Sequence, residues 1–221
     1  MVIHKINSLI DILNSQCDED EDEEMPNVFT HSPYYGNDEA LHLLKQKKDP
    51  LTILSLNCQS LCAKFDQLQI YLNYLNNSQC QFTIISLQET WLSSEHDVSL
   101  IQLDGYKFVH KPKLASTHGG VAFYIRDDVD FTILPTSVDD ESCDSLFLEV
   151  SLKAKNQHRV SKVILGNIYR PPRGNVENYN VFTERLEQII SQLKSSNQVI
   201  LMGDFNIDLL RVMKNAILMT S

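Results

Sequence analysis

The sequence predicts an α/β domain that begins near residue 49. Six short apolar runs, each bounded by polar or turn residues, have the length and composition of buried β-strands; they cover residues 51–56, 82–87, 121–125, 146–152, 163–168 and 199–202. Two longer stretches between them have apolar residues at intervals of three and four, the spacing of one helix face. Pro171 and Pro172 end the fifth run, because proline has no N–H for the strand ladder.

Both helical stretches are amphipathic, and we expect them to cover the sheet. The first has its apolar face at Phe65, Leu68, Leu72 and Leu75. The second lies before the last strand and has its apolar face at Tyr179, Phe182, Leu186, Ile189 and Leu193.

The composition before residue 49 differs from that of the domain. Residues 1–16 have apolar side chains at helical spacing, which predicts a short amphipathic helix and no secretory signal. Residues 17–48 combine an acidic block at 18–24 with a turn-rich segment, a composition typical of a disordered linker. We therefore place the domain at residues 49–210 and a tail at 211–221.

The net charge of −10 gives little information about the folded part, because the acidic block dominates it. From residue 25 onward the chain has 18 basic and 21 acidic residues and is nearly neutral. A nucleic-acid-binding domain usually has a basic face, and the sequence shows only scattered cations. Charge alone therefore weighs slightly against a polyanionic substrate.

The sequence also excludes several classes of protein. No apolar run approaches the ~18 residues of a membrane span. The five cysteines include no C-x-x-C pair, so we expect neither a disulfide partner nor a zinc site. A reducing compartment follows, and we expect an intracellular protein of the nucleus or cytoplasm.

Four of the predicted strands end in residues suited to metal or phosphate chemistry. Asn57 and Tyr169 follow their apolar runs directly, Glu89 and Asp204 follow theirs after one intervening residue, and Asn206 lies two residues beyond Asp204. If these strands are neighbours and run the same way, their C-terminal ends share an edge, where ligand sites of α/β sheets form. The sequence therefore predicts one site that contains these five side chains.

The residue types fit magnesium-dependent hydrolysis. Mg²⁺ binds one or two carboxylates, keeps several waters and takes phosphate oxygens for the rest of its shell. Glu89 is the expected metal ligand, and Asn57 adds a neutral carbonyl oxygen. Asp204 can orient or deprotonate a water, while Asn206 and Tyr169 can donate hydrogen bonds to phosphate.

Each residue also has an ordinary structural interpretation. Asn57 is alternatively a turn or helix-cap residue. Glu89 is alternatively a surface carboxylate, Tyr169 a core tyrosine, and Asp204 the first residue of an Asx-turn. The recurrence of such residues at four strand ends favours the functional interpretation.

Five ordered segments resemble the endonuclease/exonuclease/phosphatase superfamily, and within it the endonuclease domain of non-LTR retrotransposons. They are LTILSLNCQSL, FTIISLQETWL, GGVAFYIRDDV, GNIYRPP and VILMGDFNIDL, from Leu51 to Leu210. QETWL and YRPP point to the retroelement branch rather than to repair enzymes, sphingomyelinases or inositol-phosphate phosphatases.

The resemblance implies two packed mixed β-sheets flanked by helices, with a Mg²⁺- or Mn²⁺-dependent phosphodiesterase site at one end. By motif, Asn57 and Glu89 lie at the metal, Tyr169 contacts the phosphate or the metal shell, and Asp204 and Asn206 handle nucleophile and phosphate. The implied substrate is DNA, nicked to leave a 3′-hydroxyl that primes reverse transcription.

The C-terminal part departs from the family pattern. Family members continue to a late Ser/Asp-His motif, whereas residues 211–221 contain neither histidine nor aspartate. His118 is expected to be an exposed loop residue and no substitute. We therefore expect a domain incomplete at its C-terminus. The alternatives to an active endonuclease are a catalytically inactive remnant and a phosphoesterase of the same superfamily that acts on a small phosphate ester.

Overall fold

The computed structural model describes residues 37–46, 51–111, 118–136, 143–153, 160–172, 176–193 and 198–207. The predicted helix at residues 1–16, most of the predicted linker and the tail at 211–221 lie outside these residues. Within them, eight strands form two four-stranded sheets, and each sheet is mixed.

The first sheet contains strands β1 (Ile53–Asn57), β2 (Ile84–Gln88), β3 (Tyr106–Lys111) and β4 (Val121–Arg126), in the order β1-β2-β4-β3. Strands β1 and β2 are parallel, because helix α2 (Leu61–Asn77) crosses from the end of one to the start of the other. The remaining pairs of this sheet are antiparallel.

The second sheet contains β5 (Asp130–Ile133), β6 (Asp144–Lys153), β7 (Val160–Tyr169) and β8 (Gln198–Asp204), in chain order. Here β7 and β8 are the parallel pair, and helix α3 (Val176–Leu193) connects them. Each sheet therefore has one parallel pair, joined by one amphipathic helix.

Alternate side chains of the strands fill three apolar layers, because successive residues of a strand point to opposite faces. Ile84, Phe123 and Leu165 belong to the layer between the two sheets. Ile85 and Leu87 face the other way and pack with helix α2. The outer face of the second sheet packs in the same manner against α3, through Phe147, Ile164, Ile168, Phe182, Leu186 and Ile189.

This architecture confirms the predicted fold class. All six predicted strands and both predicted helices occur, with boundaries that differ by a few residues. Strands β3 and β5 were not predicted. Their side chains are mostly only partly buried, and each strand lies at the end of its sheet, so neither has a continuous apolar run.

One part of the predicted linker is ordered, which corrects the interpretation of residues 17–48 as disordered throughout. Helix α1 (Asn37–Gln46) lies within that range. Leu41 is buried in the layer beneath helix α2, and Leu44 packs against the same layer. Two leucines on one helix face bury enough apolar surface to hold this short segment against the domain.

A search of the helices in the described ranges found none that is both long and apolar enough to cross a membrane.

Candidate active site

The site lies where the two parallel strand pairs end. Asn57 is the last residue of β1, and Glu89 follows β2 directly. In the other sheet, Tyr169 and Asp204 are the last residues of β7 and β8 and are partners in the ladder. The predicted residues therefore do share a location, but it is one end of a sandwich built from two sheets, not one edge of a single sheet.

Asn57 connects the two sheets at this end. Its Nδ2 donates a hydrogen bond to Glu89 Oε1 at 2.6 Å and another to Asp204 Oδ2 at 2.8 Å. A single amide nitrogen, which carries partial positive charge, thus lies between two carboxylates. Asn57 is not the N-cap of helix α2, because Ser60 occupies that position directly before Leu61.

Glu89 is held in an uncommon backbone conformation. Its φ of 53° lies in the left-handed region. For residues other than glycine, asparagine and aspartate, this backbone conformation costs about 1 kcal/mol or more. Two neighbouring segments hold it there: Ser60 N donates to Glu89 O at 2.9 Å, and Thr90 N donates to Gly120 O at 3.2 Å. Backbone strain maintained by surrounding hydrogen bonds is common at functional sites.

Asp204 forms the Asx-turn considered from the sequence, and its second carboxylate oxygen faces the site. Its Oδ1 accepts a hydrogen bond from Asn206 N at 3.2 Å, which is the Asx-turn pattern, while Oδ2 faces Asn57. Gly203, with φ of +144°, precedes it because the backbone comes very close to β7: a Cβ at this position would lie 1.8 Å from Ile168 O. The glycine thus allows Asp204 to reach the site.

Tyr169 is only 5% exposed, so the core interpretation is also correct for this residue. Burial above all, and then the charges of Glu89, Asp204 and Asp144 and a hydrogen bond with Glu89, raise the pKa of Tyr169 to about 12. The phenol therefore keeps its proton at neutral pH and can donate a hydrogen bond at the site, as it does to Glu89.

Asn206 is exposed, and its backbone is also left-handed, with φ of 47°. Its Nδ2 donates to Arg170 O at 2.7 Å, while the Arg170 guanidinium donates to Phe205 O at 3.3 Å and to Asn206 O at 3.4 Å. Arg170 is 6% exposed and lies over the Phe182 ring. This arginine therefore braces residues 204–206 and does not belong to a basic face.

Asp144 is a residue near the site that the sequence analysis did not identify. It is the first residue of β6 and the ladder partner of Tyr169. Its Oδ2 accepts a hydrogen bond from Gly120 N at 2.8 Å, which fixes the loop that in turn holds Thr90. No sequence signal marked it, because Asp144 precedes its apolar run, whereas the other site residues end theirs.

His118 agrees with its sequence interpretation, and Cys58 is a further residue beside the site. His118 is exposed, and its ring makes an edge contact with Trp91 at 4.7 Å between centroids. Burial raises the pKa of the Cys58 thiol to about 12, so this cysteine beside the site is an unreactive thiol at neutral pH.

The donors at the site fit a hard divalent cation. The described residues include no group of three or more histidine, cysteine and acidic side chains able to hold a metal ion. Mg²⁺ does not need such a group, since one or two carboxylates with water and phosphate suffice. Glu89 would supply a carboxylate, and rotation of the Asn57 amide would present its carbonyl oxygen to a cation in place of its nitrogen. Asp204 places a second carboxylate in the same site, next to Asn57.

Comparison with known proteins identifies the family. Residues 54–215 match the Endonuclease/Exonuclease/phosphatase family. The chain belongs to this family of hydrolases. Among curated proteins, none matches the sequence.

Several solved structures are similar to this chain at low sequence identity. The endonuclease domain of TRAS1, a telomere-specific non-LTR retrotransposon, is 16% identical, with a TM-score of 0.45 over 72% of this chain and 61% of that domain. The 3′-5′ exonuclease of Neisseria meningitidis is 23% identical, with a TM-score of 0.46 over 70% and 57%.

A mannosyl-6-phosphatase from Bacteroides thetaiotaomicron is 17% identical, with a TM-score of 0.50 over 72% of this chain and 67% of that one. The chain thus spans 57% to 67% of these three structures.

Proposed function

We propose that this domain hydrolyses phosphodiester bonds in DNA with a divalent metal ion, as the endonuclease domain of a non-LTR retrotransposon. The observation that carries the proposal is the Asn57 amide between Glu89 and Asp204, which joins the ends of both sheets in one acidic site. Family membership supports hydrolysis of a phosphate ester, and the QETWL and YRPP segments support the retroelement branch.

Each side chain has a defined task in this proposal. Glu89 and Asn57 would hold Mg²⁺ or Mn²⁺, which when bound neutralises charge on the phosphate oxygens. Asp204 accepts the proton of the attacking water at Oδ2, while its Oδ1 stays on Asn206 N. Tyr169, protonated at neutral pH, donates a hydrogen bond to a phosphate oxygen. Asn206, at the same end of the sandwich, donates another.

The openness of the site supports a polymeric substrate. Asn57 and Asn206 are exposed, and Glu89 and Asp204 are partly exposed. A DNA strand can lie across such a surface, whereas pockets for small molecules usually enclose most of the ligand. The proposed location is the nucleus or cytoplasm of the cell.

Nicking of supercoiled plasmid tests the proposal. The chain and a C-terminally extended version are incubated with Mg²⁺ or with EDTA, next to Glu89→Ala and the control Glu95→Ala, which removes an exposed carboxylate nearby. We expect Mg²⁺-dependent nicks with 3′-hydroxyl ends, reduced at least about 100-fold by Glu89→Ala and unchanged by Glu95→Ala.

The other outcomes distinguish the alternatives. Activity in the extended chain alone would favour an inactive remnant for the present chain. Hydrolysis of p-nitrophenyl phosphate without nicking would favour a small-ester phosphatase. Nicking that survives Glu89→Ala would contradict the role of Glu89 as a metal ligand.

A further inference from the structure

A buried polar cluster lies directly behind the candidate site and connects the two sheets. Asn167 of β7 is completely buried, and Gln88, the last residue of β2, is 2% exposed. Gln88 Nε2 donates to Asn167 Oδ1 at 2.7 Å across the space between the sheets. Many apolar side chains fill the layer around them, so this hydrogen bond has a fixed place in it.

Asn167 makes two more bonds to the first sheet. Its Nδ2 donates to Leu87 O and to Ala122 O, both at 3.0 Å. These carbonyls belong to β2 and β4, and the two residues are ladder partners. One side chain of the second sheet is therefore bonded to two strands of the first, and its amide is fully used.

Gln88 extends the cluster along the first sheet. Its Nε2 also lies 3.0 Å from Ser86 Oγ and 3.3 Å from Ser55 Oγ. Ser86 is completely buried, and Ser55 is on β1. The cluster thus reaches three strands of the first sheet and β7 of the second.

Gln88 and Asn167 are each one or two residues from a site residue. Gln88 precedes Glu89 and is the ladder partner of Asn57. Asn167 lies two residues before Tyr169, whose ladder partner is Asp204. Any shift between the sheets at this point would move Glu89 relative to Asp204 by a similar amount.

Apolar packing alone does not set such a distance with the accuracy a site requires. Contacts between apolar side chains are non-directional, whereas a functional constellation must be held to within about 0.5 Å. A hydrogen-bonded cluster fixes both distance and direction, and satisfied buried networks make a core rigid.

We propose that Asn167 and Gln88 are positioning residues that fix the separation of the two sheets and thereby hold Glu89, the proposed metal ligand, at a fixed distance from Asp204, the proposed proton acceptor. The effect on metal binding rests on the proposed function. Asn167 and Gln88 act through the strands and do not contact the substrate.

The test compares Gln88→Met with Thr83→Val. Gln88→Met keeps the length and volume of the side chain and removes its hydrogen bonds. Thr83→Val removes a buried hydroxyl at the opposite end of β2, where Thr83 Oγ1 accepts from Thr52 N at 3.1 Å within the first sheet. Both variants lose a buried polar interaction, but only the first lies between the sheets.

The first measurement is Mn²⁺ affinity, taken as the binding that Glu89→Gln abolishes. We expect Gln88→Met to weaken it about tenfold or more, as for residues that orient metal ligands. Thr83→Val should stay within about twofold, because distant sites act independently. Urea unfolding of both variants shows whether they lose similar stability.

The second measurement needs no metal. The side-chain amide signals of Asn57 in ¹H–¹⁵N spectra report its bonds to Glu89 and Asp204, and Gln88→Met should shift them toward values of a free asparagine while Thr83→Val does not. If Gln88→Met fails to fold, Ser55→Ala, which removes one partner of Gln88, should shift them the same way.

Equal effects of Gln88→Met and Thr83→Val on both measurements would overturn the inference and leave the cluster a general stabilising feature. A wild-type chain that binds no Mn²⁺ at this site contradicts the proposed function instead. In that case the Asn57 signals still decide whether Gln88 sets the geometry between the sheets.

Discussion

Asn57 holds Glu89 and Asp204 through one nitrogen, at 2.6 and 2.8 Å, although the two carboxylates come from different sheets. Because one neutral amide lies between two carboxylates, a charged side chain at position 57 would change the electrostatic repulsion at the site.

The first prediction concerns Asn57→Asp. A third carboxylate would replace the donor, so we expect repulsion that destabilises the folded chain as the pH rises through the range in which carboxylic acids ionise, near 4. The free energy of unfolding of the variant should be highest at low pH, should fall as the pH rises above that range, and should be restored by Mg²⁺. Urea unfolding at pH 3.5 and 7, with and without Mg²⁺, measures this. Stability that is independent of pH and Mg²⁺ would contradict the contact.

The second prediction concerns Tyr169. Because the charge of Glu89 contributes to the raised pKa of about 12, Glu89→Gln should lower the pKa of Tyr169 toward, but not to, the ordinary 10.0, since burial remains. NMR of ¹³C-labelled tyrosine at alkaline pH measures the titration. Glu95→Gln is the control and should leave it unchanged.

The raised pKa of Tyr169 also has a consequence for stability. The unfolded chain loses this proton near pH 10 and the folded chain near 12, so the contribution is complete below pH 10 and is lost between the two values. Tyr169→Phe should therefore unfold with a weaker dependence on pH in this window. An unchanged dependence would contradict the assignment.

The third prediction concerns Gly203→Ala. The added Cβ would overlap Ile168 O, so the strand must move away from β7, and we expect a loss of about 3 kcal/mol or more in unfolding free energy. Gly105→Ala is the matched control: its φ is +82°, but no atom lies within 4 Å of the new Cβ. That variant should lose only about 1 kcal/mol, from backbone strain. Equal losses would contradict the close approach.

The ends of the strands could be predicted from the sequence, because the buried strands are continuous apolar runs that end at or next to the site residues. Asn57, Glu89, Tyr169 and Asp204 each stand where such a run finishes. The sequence pattern could not predict that these four residues come together from two sheets, since that depends on which strands pair. That information came only from the resemblance to a family.

The cluster behind the site was beyond prediction for a different reason. Asn167 and Gln88 lie inside or at the end of apolar runs, where a polar residue gives no indication of its partner. Asp144 precedes its strand and belongs to the site only through its ladder partner Tyr169. Helix α1 was missed because an acidic, turn-rich composition surrounds its two packed leucines.

The central claim is that the ends of both sheets form one site, in which Glu89 and Asn57 hold a cation and Tyr169 and Asp204 lie beside it. Paramagnetic broadening by Mn²⁺ at low stoichiometry tests it most directly, since the metal broadens only the NMR signals of residues close to it. We predict that Asn57 and Glu89 of the first sheet and Tyr169 and Asp204 of the second broaden together, and that Glu89→Gln abolishes the effect. Broadening confined to the acidic block at residues 18–24, with the four site residues unaffected, would contradict the account.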